Sequence, residues 1–217
     1  MKQIQRNQHG FTILELMIAT MVFSVILLLV TTGIINIGKT YYKGALQART
    51  QDTARNIIDE ISRGIQFSGV DALQTTPLNV VATPYPVAGG KYGLCVNDIR
   101  YAYVLDKQLA TVNSGDKVTK TLISYNGSCS GTPPLVENVA TVTGKELLGL
   151  GMRLTALEVK SIGTNTFSVT VEVASGDRDL FDPPFISGNI SASCKSGAGK
   201  EFCAISRLST IVQKRVI

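Results

Sequence analysis

Gly10-Phe11-Thr12-Ile13-Leu14-Glu15 joins a short basic leader, MKQIQRNQHG, to an apolar run that extends from Phe11 to about Ile35. The run carries one charge, Glu15. As a helix its roughly 25 residues span about 37 Å, enough to cross a bilayer with some tilt. A carboxylate at the bilayer centre costs about 2.5–3.5 kcal/mol or more. Glu15 lies near one end, where the cost is smaller, but it still needs a partner. Thr12-x-x-Glu15 fits a capping box, with the carboxylate near the positive end of the helix. An ordinary secretory signal has a shorter apolar core and a small-x-small cleavage site, and this run is too long for one.

Beyond the apolar run the helical pattern continues. Leu46, Thr50, Ala54, Ile57, Ile58, Ile61 and Ile65 recur at spacings of three, four and seven, while Arg49, Asp52, Arg55, Asp59 and Arg63 decorate the other faces. This is an amphipathic helix with one buried stripe. Gly33, Gly38 and Gly44 are expected to bend or loosen it.

Residues 67–90 are rich in Pro, Gly and Thr and read as a connector, with a short strand at Leu78–Ala82. From Tyr92 onward strand patterns dominate, at Tyr92–Val96, Ile99–Leu105, Val118–Tyr125, Arg153–Lys160, Thr166–Val173 and Ala204–Gln213. Turn signals such as Asn97-Asp98, Asn126-Gly127 and Ser175-Gly176-Asp177 separate them. In Thr166–Val173, Phe167, Val169, Val171 and Val173 share one face, as in antiparallel hairpins covered on one side by a helix. The expected fold is therefore α+β, a long N-terminal helix (membrane half, then amphipathic half) packed on an antiparallel β-sheet. The expected divisions are residues 1–10 (leader), 11–36 (transmembrane and assembly helix), 37–66 (amphipathic helix) and 67–217 (β-rich head).

The chain has 217 residues and a net charge of +5. Lys2 and Arg6 belong to the leader, so its removal would leave a mild basic excess. That permits contact with acidic polymers without arguing for DNA binding. The single histidine, His9, also lies in the leader, so a mature chain would lack the commonest general base and metal ligand. No GxSxG, Walker A or HExxH pattern is present. No catalytic residue and no cofactor is expected.

The four cysteines, Cys95, Cys129, Cys194 and Cys203, form no CxxC. An even count beyond a membrane segment points to disulfides in an oxidising compartment. Three pairings are possible. Cys95–Cys129 and Cys194–Cys203 join sequential neighbours and are favoured. The basic leader would stay cytoplasmic, with the rest of the chain outside.

The leader, Gly10, FTILELMIAT and Glu15 together resemble the signal of the type IV pilin superfamily, which includes major and minor pilins and the pseudopilins of type II secretion. The resemblance implies that a prepilin peptidase cuts after Gly10 and N-methylates Phe11, and that Glu15 serves assembly. It implies a single-pass subunit of the inner membrane, with membrane lipid around its helix before assembly. The subunit would then join a surface or periplasmic filament with other pilin subunits and a membrane assembly platform. The length favours a minor pilin or a J-like pseudopilin, and a membrane-anchored exported binding domain is the rival class.

Three further features have competing readings. Asp177, Asp179 and Asp182 crowd one loop, and some pseudopilins hold calcium in a comparable loop. The interleaved Arg178 makes a solvated, salt-bridged loop the default. Tyr41 and Tyr42, with Lys39 and Lys43, read as a headgroup-level anchor or as a subunit contact. The small glycine-rich Cys194–Cys203 loop carries Lys195 and Lys200 and reads as a hairpin staple or as a contact for an acidic ligand.

Overall fold

A computed structural model of the chain describes residue 10 and residues 12–67, 73–74, 92–96, 98–127, 139–163, 165–182 and 192–215. The chain divides into two units, Met1–Tyr41 and Tyr42–Ile217. One helix, α1 (Ile13–Phe67), runs through both.

In the first unit every apolar side chain from Ile13 to Ile37 is exposed. The hydroxyl-bearing residues in this stretch satisfy themselves. Ser24 donates to the Thr20 carbonyl at 2.7 Å, Thr31 to Leu27 at 2.7 Å and Thr40 to Asn36 at 2.9 Å, and Thr32 donates likewise to Leu28. Such back-bonding lets polar residues sit in an apolar environment without an orphaned donor. Helical structure is continuous through Gly33, Gly38 and Gly44, so none of the three interrupts the helix. One glycine costs only about 0.8–1 kcal/mol in a helix, and the long neighbouring segments outweigh that.

The strands of the second unit are β1 (Leu73–Gln74), β2 (Tyr92–Val96), β3 (Ile99–Tyr103), β4 (Gln108–Leu109), β5 (Lys117–Val118), β6 (Leu122–Asn126), β7 (Lys145–Glu146), β8 (Met152–Gly163), β9 (Thr166–Ser175), β10 (Phe181–Asp182), β11 (Ser193–Cys194) and β12 (Ala204–Gln213). They form two five-stranded sheets, ordered β1-β2-β3-β6-β7 and β12-β9-β8-β4-β5, and a β10–β11 ribbon. All pairs are antiparallel except β4–β5. The α+β arrangement of a long helix on sheets is therefore present, but with two sheets where the sequence suggests one.

The stripe Ala54, Ile57, Ile58, Ile61 and Ile65 is buried against both sheets, with Leu94, Val96, Tyr101 and Leu122 from the first and Leu154, Val159, Val169, Val171 and Val173 from the second. Gly64 sets the closeness of approach to β2, since a Cβ there would lie 3.1 Å from Val96 Cγ1. At the helix end, the Arg215 amide donates to the Gln66 carbonyl at 3.2 Å, and its guanidinium lies 5.4 Å from the Phe67 ring centre. A cation from the far end of the chain thus supplies the C-terminal charge complement that the last turn lacks.

Several expectations are corrected. The Val118–Tyr125 strand is broken into β5 and β6, which belong to different sheets. Side chains take the groups between them. Asn113 Oδ1 accepts the Thr119 amide at 2.9 Å, and the Glu146 carboxylate accepts the Thr121 and Leu122 amides at 2.7 and 2.9 Å. Strand β9 is buried on both faces toward its end, because Ala174 packs with Phe181 and Cys203 on the side away from α1. The strand expected at Leu78–Ala82 lies outside the described residues.

The two units should respond separately to truncation. Ile61→Ala, at a site with 0% exposure, should lower the unfolding free energy of the head by about 2–5 kcal/mol. Ile34→Ala, in the first unit, should leave it within about 0.5 kcal/mol of wild type. Denaturant unfolding of both variants in detergent, followed by near-ultraviolet circular dichroism, checks this.

Candidate processing and assembly site

Gly10 is exposed, and a Cβ there would meet no atom within 4 Å. Phe11 lies outside the described residues. Immediately after them the capping box forms. Glu15 Oε2 accepts the Thr12 amide at 3.0 Å and the Thr12 hydroxyl at 2.9 Å, and the Glu15 amide donates to Thr12 Oγ1 at 3.3 Å. Among the described residues Glu15 Oε1 accepts no hydrogen bond. One carboxylate oxygen is spent on the cap and the other is open. Thr12 and Glu15 satisfy two first-turn amides, an arrangement worth about 0.5–2 kcal/mol.

Cys194 and Cys203 are joined in a disulfide with Cα atoms 5.9 Å apart. Cys95, buried in β2, is also disulfide-bonded. Its expected partner Cys129 lies outside the described residues.

Asp177, Asp179 and Asp182 are not brought together. Asp177 lies 3.6 Å from the Lys117 ammonium, Asp179 is in a single 3-10 turn and Asp182 is in β10. Among the described residues no group of three His, Cys, Asp or Glu side chains is gathered as for a metal.

The polar cluster that sequence reading missed surrounds Arg153. This side chain is fully buried, between Asp106 Oδ1 and Asp116 Oδ2 at 3.0 Å each, and it donates to the Gly176 carbonyl at 3.1 Å. Its guanidinium lies 5.3 Å from the Phe181 ring centre. Arg178 Nη2 approaches Asp106 at 3.5 Å, and the Gln108 amide donates to the Gly151 and Gly176 carbonyls. Arg153 and Asp116 are distant in sequence, so no local pattern announces them. Burial pushes the Asp106 carboxyl above its ordinary value, and the Arg153 hydrogen bond and charge only partly oppose this. Because the folded-state value is the higher one, Asp106 favours folding as pH falls from that raised value toward the ordinary one. It weakens folding as pH rises through the same window.

A groove beside the C-terminal end of α1 is lined by Ile57, Glu60, Gly64, Phe67, Lys145 and Leu147. Glu60 and Lys145 pair across it at 3.1 Å.

The arrangement that bears on function is thus the N-terminal one: an open glycine, a capped glutamate and an exposed apolar helix. The family model described as the prokaryotic N-terminal methylation motif matches residues 5–31. The chain carries the type IV prepilin signal. This supports membership of the type IV pilin superfamily, a family of structural proteins. No curated protein and no solved structure matches the chain. The match ends within the first unit, so it speaks to processing and membrane insertion. The second unit lies outside the match and is described by its own fold alone.

Removing the buried cation should strand two carboxylates. Arg153→Met should destabilise the head by about 3–5 kcal/mol. Arg153→Met combined with Asp106→Asn and Asp116→Asn should recover much of that loss. Urea midpoints of the variants at neutral pH check this.

Proposed function

We propose that this chain is a minor pilin, a structural subunit of a type IV pilus or related filament. The observation that carries the reading is the methylation motif at residues 5–31 overlapping an apolar helical stretch whose one acid, Glu15, lies one turn past the proposed cleavage point. The prepilin peptidase cuts after Gly10 and methylates the new amine of Phe11. The helix holds the subunit in the inner membrane with its head outside the cytoplasm, where the disulfides form. Assembly then moves the helix from lipid into a bundle of other pilin helices, guided by the membrane assembly platform. A type II secretion pseudopilin uses the same steps, and the length of the chain fits either. The role is structural and not enzymatic.

Gly10 matters because a residue without Cβ lets the chain enter a narrow peptidase cleft. Intact-mass and N-terminal peptide analysis of the membrane-extracted protein should show a chain starting at methylated Phe11. Gly10→Val should leave the ten-residue leader attached. A wild-type chain that retains Met1 in cells with an active peptidase would reduce the protein to a plain membrane anchor.

A further inference from the structure

Phe202 sits in a 3-10 turn, Lys200–Phe202, inside the loop closed by Cys194–Cys203. Gly199, at φ 88°, makes the left-handed step into that turn. The Phe202 ring meets Tyr42 edge-on, with centroids 5.3 Å apart and planes at 65°. Phe202 is nevertheless 49% exposed and Tyr42 47% exposed. The pair therefore fixes the loop on the helix while leaving much of both rings uncovered.

The second unit runs along the helix, and this sets which of its ends the loop occupies. Gln213 and Thr166 pair at one end of the β12–β9 ladder, and just beyond Gln213 the Arg215 amide joins the Gln66 carbonyl at the helix C-terminus. Ala204 and Ser175 pair at the other end of the ladder, next to Cys203 and Phe202, and there the loop meets Tyr42. Tyr42 follows Ile37, the last aliphatic residue of the apolar stretch, by about 7.5 Å of helix rise. The headgroup layer on one side of a bilayer is about 5–8 Å thick. When the hydrocarbon ends at Ile37, Tyr42 stands at headgroup level with Phe202 beside it. Lys43, Lys195 and Lys200 are exposed, and Glu201 is half-buried. Aromatic rings flanked by lysines partition to this layer, and the lysines add attraction to anionic lipid.

We propose that the Cys194–Cys203 loop is a second bilayer contact of the unassembled subunit. Phe202 and Tyr42 lie together among the headgroups of an anionic phospholipid membrane, and Lys195 and Lys200 face the lipid phosphates. The inference rests on the membrane-held subunit proposed above. It gives the loop a role while the subunit waits in the membrane, one that must be released on entry into a filament.

The chain has no tryptophan, so Phe202→Trp gives the full-length protein a single tryptophan that can be excited selectively over its tyrosines. The protein is reconstituted in nanodiscs of phosphatidylcholine with phosphatidylglycerol and a headgroup spin-labelled lipid. The comparison variant is Ile162→Trp, exposed near the opposite end of the β8–β9 hairpin. Tyr42→Trp serves as a second reporter from the helix side, and Phe23→Trp with an acyl-chain label reports insertion itself. Quenching of Trp at position 202 is expected to exceed that at 162 by at least about threefold. It should fall about twofold when Lys195→Glu and Lys200→Glu are added or phosphatidylglycerol is omitted. Quenching at 23 with equal, weak quenching at 202 and 162 would overturn the loop contact while leaving the membrane reading intact. No quenching at 23 would overturn the membrane reading and the contact with it. Shielding of position 202 only when other pilin subunits are present would assign the surface to a protein partner and also overturn the proposal.

Discussion

A single carboxylate in the apolar half of the helix is the constraint on which the proposed role depends. Glu15 has to be satisfied wherever the helix goes. In the isolated chain it is satisfied by Thr12, which lends its amide and hydroxyl to one carboxylate oxygen. Cleavage after Gly10 would leave Thr12 as the second residue and place a cationic amine one residue before it. The same carboxylate then has two partners available, its own first turn and the amine of a neighbouring subunit. At 4 Å and an effective dielectric of 20, two unit charges attract by about 4 kcal/mol, and desolvation offsets much of this. Such a pair selects axial register more than it adds stability. With Oε1 unused among the described residues, Glu15 would keep its cap while engaging a second cation.

The head solves a different problem. A helix that is apolar all round in its first half cannot also bring a polar face for the sheets to ignore, so burial begins only at Thr50. From there one stripe closes over two sheets at once. The second sheet is covered on its other side as well, by Phe181, Cys203 and Leu180. Burial on that side traps charge. Arg153 is compensated by Asp106 and Asp116. The buried Glu172 accepts the Thr155 hydroxyl at 2.8 Å and the Ala192 amide at 2.9 Å. These contacts fasten the segments around β8 and β9 to one another, and the Cys194–Cys203 bridge closes the same side.

What was legible in the sequence follows from where the forces are local. The helix, its cap and the buried stripe depend on spacings of three and four; the helix and cap form as read, and the stripe is buried from Thr50 to Ile65, with Leu46 left half-buried. Strands β2 and β12 match their expected limits, because an alternating or apolar run bounded by turn residues defines them. The turn signal Asn97-Asp98 is likewise local, and Asp98 lies in the left-handed region at φ 58°. The second sheet was not legible, because side chains distant in sequence decide it. Glu146 takes the amides that would have continued one strand, and β4 and β7 are too short to leave a pattern. Arg153 was read only as the first residue of a strand. Its burial depends on two aspartates 47 and 37 residues away, a separation no periodicity reports. Gly10 and Glu15 stood out because a glycine ends the basic leader and a lone charge sits inside the apolar run that follows.

The most direct measurement is the ratio of this subunit in sheared filaments to that remaining in membranes, compared between wild type and Glu15→Leu. Leucine keeps the helix apolar, so insertion and cleavage should proceed. The expected filament-to-membrane ratio is reduced by about tenfold or more, the equivalent of roughly 1.4 kcal/mol or more of lost assembly preference. An unchanged ratio, with normal cleavage, would show that Glu15 does no more than cap its own helix and would contradict the account.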